Sequence, residues 1–193
     1  MSDTSMEDRM RKGWKNGLPE TPCGLGSTKE FTEALRHSLF DIHILYELET
    51  INDIGAGDLN WILEVPFVGV GFRAFDIFPR HPDVKKLDIT RERPPDCDLT
   101  ICRDVMIHLT NEEALAAIEN IRASSKYMML TTYDIEENED LDGRVWRPLN
   151  LRLPPFNLHE PIYHIEEKTA GKWCCLWETR WMAAFTIGDP DNE

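Results

Sequence analysis

The sequence Ile51-Asn-Asp-Ile-Gly-Ala-Gly-Asp58 joins a short apolar segment to two closely spaced glycines. A strand that ends in D-x-G-x-G lets the backbone pass close to a ligand, because glycine has no Cβ and tolerates unusual backbone angles. A dinucleotide-binding loop would have a third glycine at position 60, where this chain has Asn60. Asp53 and Asp58 add negative charge on both sides of the loop. The loop therefore suits a ligand with a cationic or hydroxyl-rich part better than a phosphate.

Short apolar segments ended by Gly or Asp continue beyond this loop. They predict strands near residues 50–54, 71–77, 84–88, 98–102, 126–132, 173–178 and 181–187. Two capping-box patterns, Ser27-Thr-Lys-Glu30 and Thr110-Asn-Glu-Glu113, predict helix starts before the first strand and between the fourth and fifth. The first helix is expected to run to about residue 48. Strands that alternate with helices predict an α/β fold, a Rossmann-like, doubly wound and mostly parallel sheet that binds ligands beyond the carboxyl ends of its strands.

Asp76 ends the second predicted strand, 19 residues after Gly57. A carboxylate about 20 residues beyond a glycine loop accepts hydrogen bonds from ribose hydroxyls. Taken alone, the glycine loop also fits an ordinary strand-to-helix turn, and Asp76 also fits a solvated acid. Together the two features predict a nucleoside ligand without phosphates. S-adenosylmethionine (SAM) is the candidate, because its sulfonium and ammonium groups are cationic and Trp61 is close enough in sequence to add a cation–π contact.

The predicted connection between strands 2 and 3 is short. Only eleven residues separate Asp76 from Asp88, and Pro79 and Pro82 interrupt them. Because proline disrupts a helix interior, the helix between these two strands is predicted to be missing. One face of the sheet would then be thinner, and a neighbouring molecule or a substrate would cover it.

From Asp53 to about Ile162 the chain resembles a class I SAM-dependent methyltransferase. The stretches 98–109 (DLTICRDVMIHL) and 146–158 (WRPLNLRLPPFNL) are similar to signatures of a small bacterial and phage methyltransferase-like group, as is the leading stretch 24–27 (GLGS). The family resemblance implies that the glycine loop touches the methionine part of the cofactor, that the acid after strand 2 holds the ribose, and that an acid after strand 3 lies near the adenine. It implies SAM as cofactor and S-adenosylhomocysteine (SAH) as product. The residues expected to contact the cofactor are Asp53, Gly55, Ala56, Gly57, Asp58, Trp61, Asp76, Asp88, Ile89 and Arg103.

Three residues with polar side chains, Arg103, Asp104 and His108, follow strand 4 directly. A spacing of four places Asp104 and His108 on one side of a helical turn, and both are predicted to be catalytic. Histidine suits general-base work near neutral pH, and an aspartate accepts a proton or a hydrogen bond. Structural alternatives stay open: Asp104 caps the next turn, His108 bonds a backbone carbonyl, and Arg103 forms an ion pair instead of orienting a substrate carboxylate or phosphate.

The segment from Trp146 to Phe156 is rich in Pro, Arg and aromatic residues. It is interpreted either as a substrate lid or as a packed connection before the last strands. As a lid it would contact the acceptor through Arg147, Arg152, Asn157 and His159. No metal site is predicted, because the acidic run 134–143 lacks the alternation of a calcium loop and the five cysteines form no C-x-x-C pair.

Length and charge limit the remaining functions. The 193 residues fit one domain, predicted as an irregular segment 1–26, a methyltransferase-like domain 27–187 and an acidic tail 188–193. No apolar run approaches the roughly 18 residues that span a bilayer, so we expect a cytoplasmic protein without membrane contact. The formal net charge of −14 argues against strong non-specific nucleic-acid binding. The oligomeric state is left open, a dimer included.

These observations predict SAM-dependent methyl transfer to an unidentified acceptor, either a small molecule or an exposed modifying group on a larger polymer. The first alternative is a catalytically inactive SAM-binding regulatory module. The second is a nicotinamide-dependent oxidoreductase, against which the absent third glycine at Asn60 counts.

Overall fold

Seven strands form one sheet in the computed structural model, which describes residues 18–180. The strands are β1 Thr50–Ile54, β2 Gly71–Asp76, β3 Val84–Lys86, β4 Cys97–Cys102, β5 Ser125–Tyr133, β6 Tyr163–Glu166 and β7 Lys172–Glu178. Their spatial order is β3-β2-β1-β4-β5-β7-β6. The first five strands pair in parallel, and β7 runs antiparallel to both of its neighbours. The predicted Rossmann-like, mostly parallel sheet is confirmed.

One α-helix covers each face of the sheet within the described part of the chain. Helix α1, Glu33–Leu45, buries Leu35, Leu39 and Ile42 against one face. Helix α2, Asn111–Arg122, buries an apolar stripe against the other, formed by Ala114, Ala117, Ile118 and Ile121. Because both faces are covered, the doubly wound prediction also holds. Neither helix in residues 18–180 combines the length and apolar character needed to cross a membrane.

The two predicted capping boxes have opposite outcomes. Thr110 Oγ1 accepts a hydrogen bond from the Glu113 backbone N–H at 3.2 Å, and Glu113 Oε2 accepts one from the Thr110 N–H at 2.8 Å. This capping box is confirmed at the start of α2. The box predicted from Ser27 to Glu30 is wrong, because Leu25–Ser27 forms a 3-10 turn and α1 begins only at residue 33.

The connections around β2 and β3 contain no α-helix within residues 55–96, which confirms the missing helix between these two strands. The connection from β1 to β2 is reduced as well, to a 3-10 turn at Ile62–Glu64. The predicted strand at 173–178 is β7, whereas β6 was not predicted because its four residues alternate in burial and carry little apolar signal. The strand predicted at 181–187 and the acidic tail lie outside the described residues.

Candidate functional site

A pocket of about 500 Å³ opens at the carboxyl ends of the parallel strands, beside the neighbouring strands β1 and β4. The order of a doubly wound sheet reverses at this point, and such sheets bind their ligands there. The loops after β1, β2, β3 and β4 line the pocket, and the start of β7 completes its wall. An N-terminal loop, defined here as residues 18–27, lies over one side through positions 23–27.

The glycine loop after β1 is held in a fixed shape by its neighbours. Gly55 and Gly57 both have positive φ angles, +77° and +57°. The backbone N–H groups of Gly55 and Ala56 donate to the Phe75 carbonyl oxygen at 2.8 and 3.1 Å. A Cβ on Gly57 would lie 2.6 Å from Cys23 Sγ. The loop therefore requires glycine both for its backbone angles and for the close approach of the N-terminal loop.

Asp76 lines the pocket as a buried residue, and backbone donors orient both of its carboxylate oxygens. Its Oδ2 accepts a hydrogen bond from the Gly57 N–H at 2.9 Å, and its Oδ1 accepts one from the Phe78 N–H at 2.7 Å. Burial raises the pKa of Asp76, and these two backbone donors oppose the shift. Each oxygen retains capacity for a further donor, so the carboxylate can accept hydroxyl groups from the pocket.

Asp53 is a buried acid that lacks a full set of partners. Its side chain lines the pocket, the residue is 3% exposed, and its Oδ2 makes no hydrogen bond within residues 18–180. Burial and the charge of Asp76 raise its pKa from 3.8 to about 7, against the opposing effect of Arg103. An unpaired buried carboxylate costs stability, and a cation bound in the pocket would supply the missing partner.

The other residues expected near the cofactor separate into two groups. Asp58, Trp61 and Ile89 line the pocket. Trp61 faces a cation of the protein itself, because the Arg103 guanidinium carbon lies 5.8 Å from its ring centroid. Asp88 does not line the pocket. Its carboxylate accepts hydrogen bonds from the Thr90 backbone N–H at 3.1 Å and hydroxyl at 2.7 Å, so it stabilises the turn that follows β3.

Four charged side chains, Arg103, Asp104, Glu167 and Lys172, form a buried cluster that we call the ion quartet. Arg103 donates from Nε and Nη2 to the two Glu167 carboxylate oxygens at 2.8 and 2.7 Å. Its Nη1 lies 3.2 Å from Asp104 Oδ2. Lys172 Nζ lies 2.7 Å from Asp104 Oδ2 and 2.8 Å from Glu167 Oε2. The ion-pair alternative for Arg103 is therefore the one observed.

Asp104 lines the pocket without capping the next turn. Its φ angle is +57°, and its backbone N–H donates to Thr131 Oγ1 at 2.9 Å. Burial favours a higher pKa, but Arg103 and Lys172 outweigh it, so the pKa of Asp104 is lowered. The Asp104 carboxylate is thus a hydrogen-bond acceptor with little tendency to take a proton.

His108 also lines the pocket, at the end of the 3-10 turn Met106–His108. Its Nδ1 lies 2.7 Å from the Val145 carbonyl oxygen, which is the backbone contact expected as the structural alternative. Burial lowers the pKa of His108, so the neutral ring is favoured near neutral pH. When Nδ1–H donates to Val145, Nε2 carries the free lone pair. The backbone contact therefore fixes a tautomer that still suits a base.

The segment after residue 145 is a packed connection. Arg147 is buried and donates to the backbone carbonyls of Glu139 and Leu109 at 2.7 and 2.6 Å. Arg152 pairs with Glu160, and Asn157 and His159 are also absent from the pocket lining. Of this segment only its first residue, Trp146, lines the pocket, together with Val145 just before it. The four side chains that the lid interpretation assigns to the acceptor, Arg147, Arg152, Asn157 and His159, do not line this pocket.

The sequence interpretation missed Tyr133, Glu167 and Lys172. Tyr133 ends β5 and Lys172 begins β7, and these two residues are register partners in the sheet. Glu167 and Lys172 flank the turn between β6 and β7. In the sequence, Glu167 and Lys172 are opposite charges on either side of a turn that contains Gly171. Because the sequence does not predict β6, nothing in it places this turn beside the residues that follow β4.

No protein-family model matches the chain, and no curated protein matches it. Solved structures do match. The mitomycin 7-O-methyltransferase MmcR superposes with a TM-score of 0.56 and 13% identity, over 77% of this chain and 54% of MmcR. PigF, solved with SAH, superposes with a TM-score of 0.55 and 12% identity, over 77% of this chain and 55% of PigF. The magnesium protoporphyrin IX methyltransferase ChlM from Synechocystis PCC 6803 was also solved with SAH. It superposes with a TM-score of 0.50 and 13% identity, over 88% of this chain and 92% of ChlM.

These likenesses show that the chain has the class I methyltransferase fold. It spans about half the length of MmcR and PigF and nearly all of ChlM. The narrower resemblance to a bacterial and phage group stays a prediction.

Proposed function

We propose that the pocket binds SAM and that the protein transfers its methyl group to an acceptor. The observation that carries the proposal is Asp53, a buried carboxylate with an unpaired oxygen beside a glycine loop. A nucleoside cation such as SAM supplies the missing positive partner, whereas a dinucleotide would bring further negative charge. The fold of the solved methyltransferases supports the same assignment.

The residues of the pocket fit the cofactor along its length. Asp53 would bind the α-ammonium group, and the glycine loop at Gly55–Gly57 would lie against the methionine part. Asp76 would accept the ribose hydroxyls, and the buried side chains of Leu87 and Ile89 would contact the adenine. When bound, SAM supplies an activated methyl group on a cationic sulfur, so the difficult chemistry is the cofactor's.

The protein contributes position and a proton acceptor. Alignment of two reactants can supply several kcal/mol of the barrier, and the N-terminal loop, which lines one side of the pocket, would limit the access of water to the reactants. His108 takes the proton that an acceptor hydroxyl or amine must lose, through the Nε2 lone pair that the Val145 contact leaves free. Asp104 holds the acceptor by a hydrogen bond, because Arg103 and Lys172 keep it ionised.

Transfer is tested with SAM labelled in its methyl group and a panel of small molecules and modified polymers. We expect label in at least one acceptor class, dependent on an intact glycine loop. SAM binding without transfer to any acceptor would contradict the enzyme proposal and favour the regulatory alternative. Binding of NAD in place of SAM would favour the oxidoreductase.

Replacing Asp76 with alanine is expected to weaken SAH binding by about 1.5–3 kcal/mol, because the ribose loses charge-assisted hydrogen bonds and Gly57 loses its carboxylate partner. Calorimetric titration of SAH measures the change. The matched control is Asp83→Ala, since the Asp83 side chain is 83% exposed and lies outside the pocket. Equal affinities for wild type and Asp76→Ala would show that the nucleoside does not bind at the end of β2.

Replacing His108 with asparagine is expected to lower kcat by roughly 10²–10⁴-fold for an acceptor found in the labelled screen, while the Kd for SAH stays unchanged. Because burial lowers the pKa of His108, the wild-type rate should be constant at neutral and alkaline pH and should fall on acidification below the ordinary histidine range. His37→Asn, at an exposed position on α1, is the control. A kcat unaffected by His108→Asn would rule out its role as the base.

A further inference from the structure

The ion quartet contains one carboxylate oxygen without a hydrogen-bond partner in the described part of the chain. Asp104 Oδ2 is contacted by Arg103 and Lys172, but Asp104 Oδ1 is buried and makes no hydrogen bond within residues 18–180. The Asp104 side chain is 23% exposed and lines the pocket. A carboxylate oxygen fixed in this way, with its proton affinity suppressed by two cations, is a ready acceptor for a donor group on a ligand.

The Lys172 ammonium, which contacts Asp104, has a hydrogen-bond donor that these ion pairs do not use. Lys172 lines the pocket, and its ammonium contacts Asp104 Oδ2 and Glu167 Oε2. An ammonium has three N–H donors, so one is left after these two contacts. The free acceptor on Asp104 and the remaining donor on Lys172 match a ligand group that both donates and accepts a hydrogen bond.

The position of this pair separates it from the nucleoside half of the pocket. The glycine loop, Asp76 and Ile89 follow β1, β2 and β3, whereas Asp104 follows β4 and Lys172 begins β7. The two halves lie on opposite sides of the β1–β4 junction. A nucleoside held over β2 and β3 would direct its reactive end toward the β4 side, so the ion quartet faces the space left for the acceptor.

Charge determines what this space accepts. The two cations of the quartet are matched by its own two carboxylates, and the remaining pocket acids are Asp53, Asp58 and Asp76. Among residues 18–180, no cation that lines the pocket is left unpaired to neutralise a carboxylate or a phosphate on the acceptor. A neutral or cationic acceptor avoids that cost.

The rim of the acceptor side is apolar. Trp146 is 53% exposed, Leu25 is 55% exposed and Val145 is 38% exposed, and all three line the pocket. An exposed indole at a pocket mouth provides a flat surface on which a ring can stack. Val145 is also the residue whose carbonyl oxygen holds His108, so a ring stacked on this rim would lie next to the proposed base.

Resting on the proposed function, we propose that Asp104 Oδ1 and Lys172 Nζ bind the methyl acceptor, and that the acceptor is a ring compound whose nucleophile is a hydroxyl or an amine, not a carboxylate or a phosphate. On binding, the nucleophile donates its N–H or O–H to Asp104 Oδ1. As its lone pair forms the bond to the methyl carbon, the carbon–sulfur bond breaks and its electrons pass to sulfur; the hydrogen then turns from Asp104 Oδ1 to His108 Nε2, which takes the proton. The products are a neutral thioether, a methylated acceptor and a protonated His108, which carries the positive charge that the sulfonium loses.

The test uses four probes that share one ring: 2-naphthol, 2-(aminomethyl)naphthalene, 2-naphthoate and 2-naphthyl phosphate. Each is titrated into the wild-type protein saturated with SAH, and binding is followed by ligand-observed NMR. We expect the hydroxyl and amine probes to bind at least about 10-fold more tightly than the two anions. Equal binding of the anions, or no binding of any probe while SAH is bound, would overturn the inference.

Variants assign the effect to Asp104. Asp104→Ala, and Asp104→Asn if the alanine variant is unfolded, should abolish the preference while leaving the Kd for SAH within about twofold. Trp146→Ala should weaken all four probes without changing their order. If Asp104→Asn weakens SAH as much as it weakens the probes, Asp104 belongs to the cofactor site and the inference is wrong. If wild-type protein does not bind SAH at all, the proposed function fails first, so the two failures are distinguishable.

Discussion

Replacing Glu167 with glutamine is expected to destabilise the protein by about 3–5 kcal/mol. The carboxylate contacts both Arg103 and Lys172, and all three side chains are at least nine-tenths buried. Its loss leaves two buried cations with Asp104 as their only carboxylate in the ion quartet. Removal of one member of a buried ion pair is costly because the desolvated partner charge is no longer compensated. Denaturant unfolding of the variant measures the change.

Two comparisons make this prediction specific. Glu166→Gln changes the same charge at the neighbouring exposed position and should alter stability by less than about 0.5 kcal/mol. The double variant Glu167→Met with Lys172→Met removes one cation together with one anion, and should recover part of the loss. If Glu167→Gln unfolds at the wild-type denaturant concentration, the quartet does not stabilise the fold in the way proposed.

Replacing Asp53 with asparagine is expected to have opposite effects on binding and on stability. SAH affinity should fall roughly 10–100-fold, because the cofactor ammonium loses a charged hydrogen-bond partner. The protein without ligand should gain about 1–3 kcal/mol at pH 8, because burial raises the pKa of Asp53 from 3.8 to about 7 and its ionisation at neutral pH therefore costs stability. Asp41→Asn, at an exposed position on α1, is the control for loss of one negative charge.

The pH dependence of this gain has a definite sign. A carboxyl group whose pKa is raised in the folded state binds more protons there than in the unfolded chain between its two pKa values, 3.8 and about 7. Wild-type stability contributed by Asp53 therefore falls as the pH rises through that window. The difference between Asp53→Asn and wild type should be small near pH 4 and reach its full size above pH 7. A difference that stays constant with pH would show that folding does not raise the pKa of Asp53.

The features predicted correctly from the sequence are those with local causes. Asp76 follows Gly57 by 19 residues, a spacing that can be read from the sequence. The positive φ angles of the loop occur at glycines, which the sequence also shows. The capping box at Thr110 is likewise complete within four residues. The missing helix after β2 follows from a short connection with two prolines.

The features that were missed depend on contacts across the sheet. Arg103 and Glu167 are 64 positions apart and meet only because β7 inserts between β5 and β6. The pattern at Ser27 failed for a related reason, since Glu30 pairs with Lys168 on the β6–β7 turn at 2.9 Å and caps no helix. The sequence leaves the segment that begins at Trp146 open between a lid and a packed connection, and only the structure shows that backbone carbonyls from two other segments satisfy Arg147 inside the protein. Strand register and backbone partners of this kind leave no local pattern.

The proposed function requires that the pocket between β1 and β4 bind a SAM-type nucleoside cation through Asp53. Isothermal titration of SAH and SAM into the wild-type protein and the Asp53→Asn variant at pH 8 measures this binding. The predicted result is one site for each ligand in the wild type, with affinity reduced roughly 10–100-fold in Asp53→Asn and no binding of NAD to either protein. Absence of binding of both SAM and SAH to the wild type, or equal affinities in the two proteins, would contradict the claim.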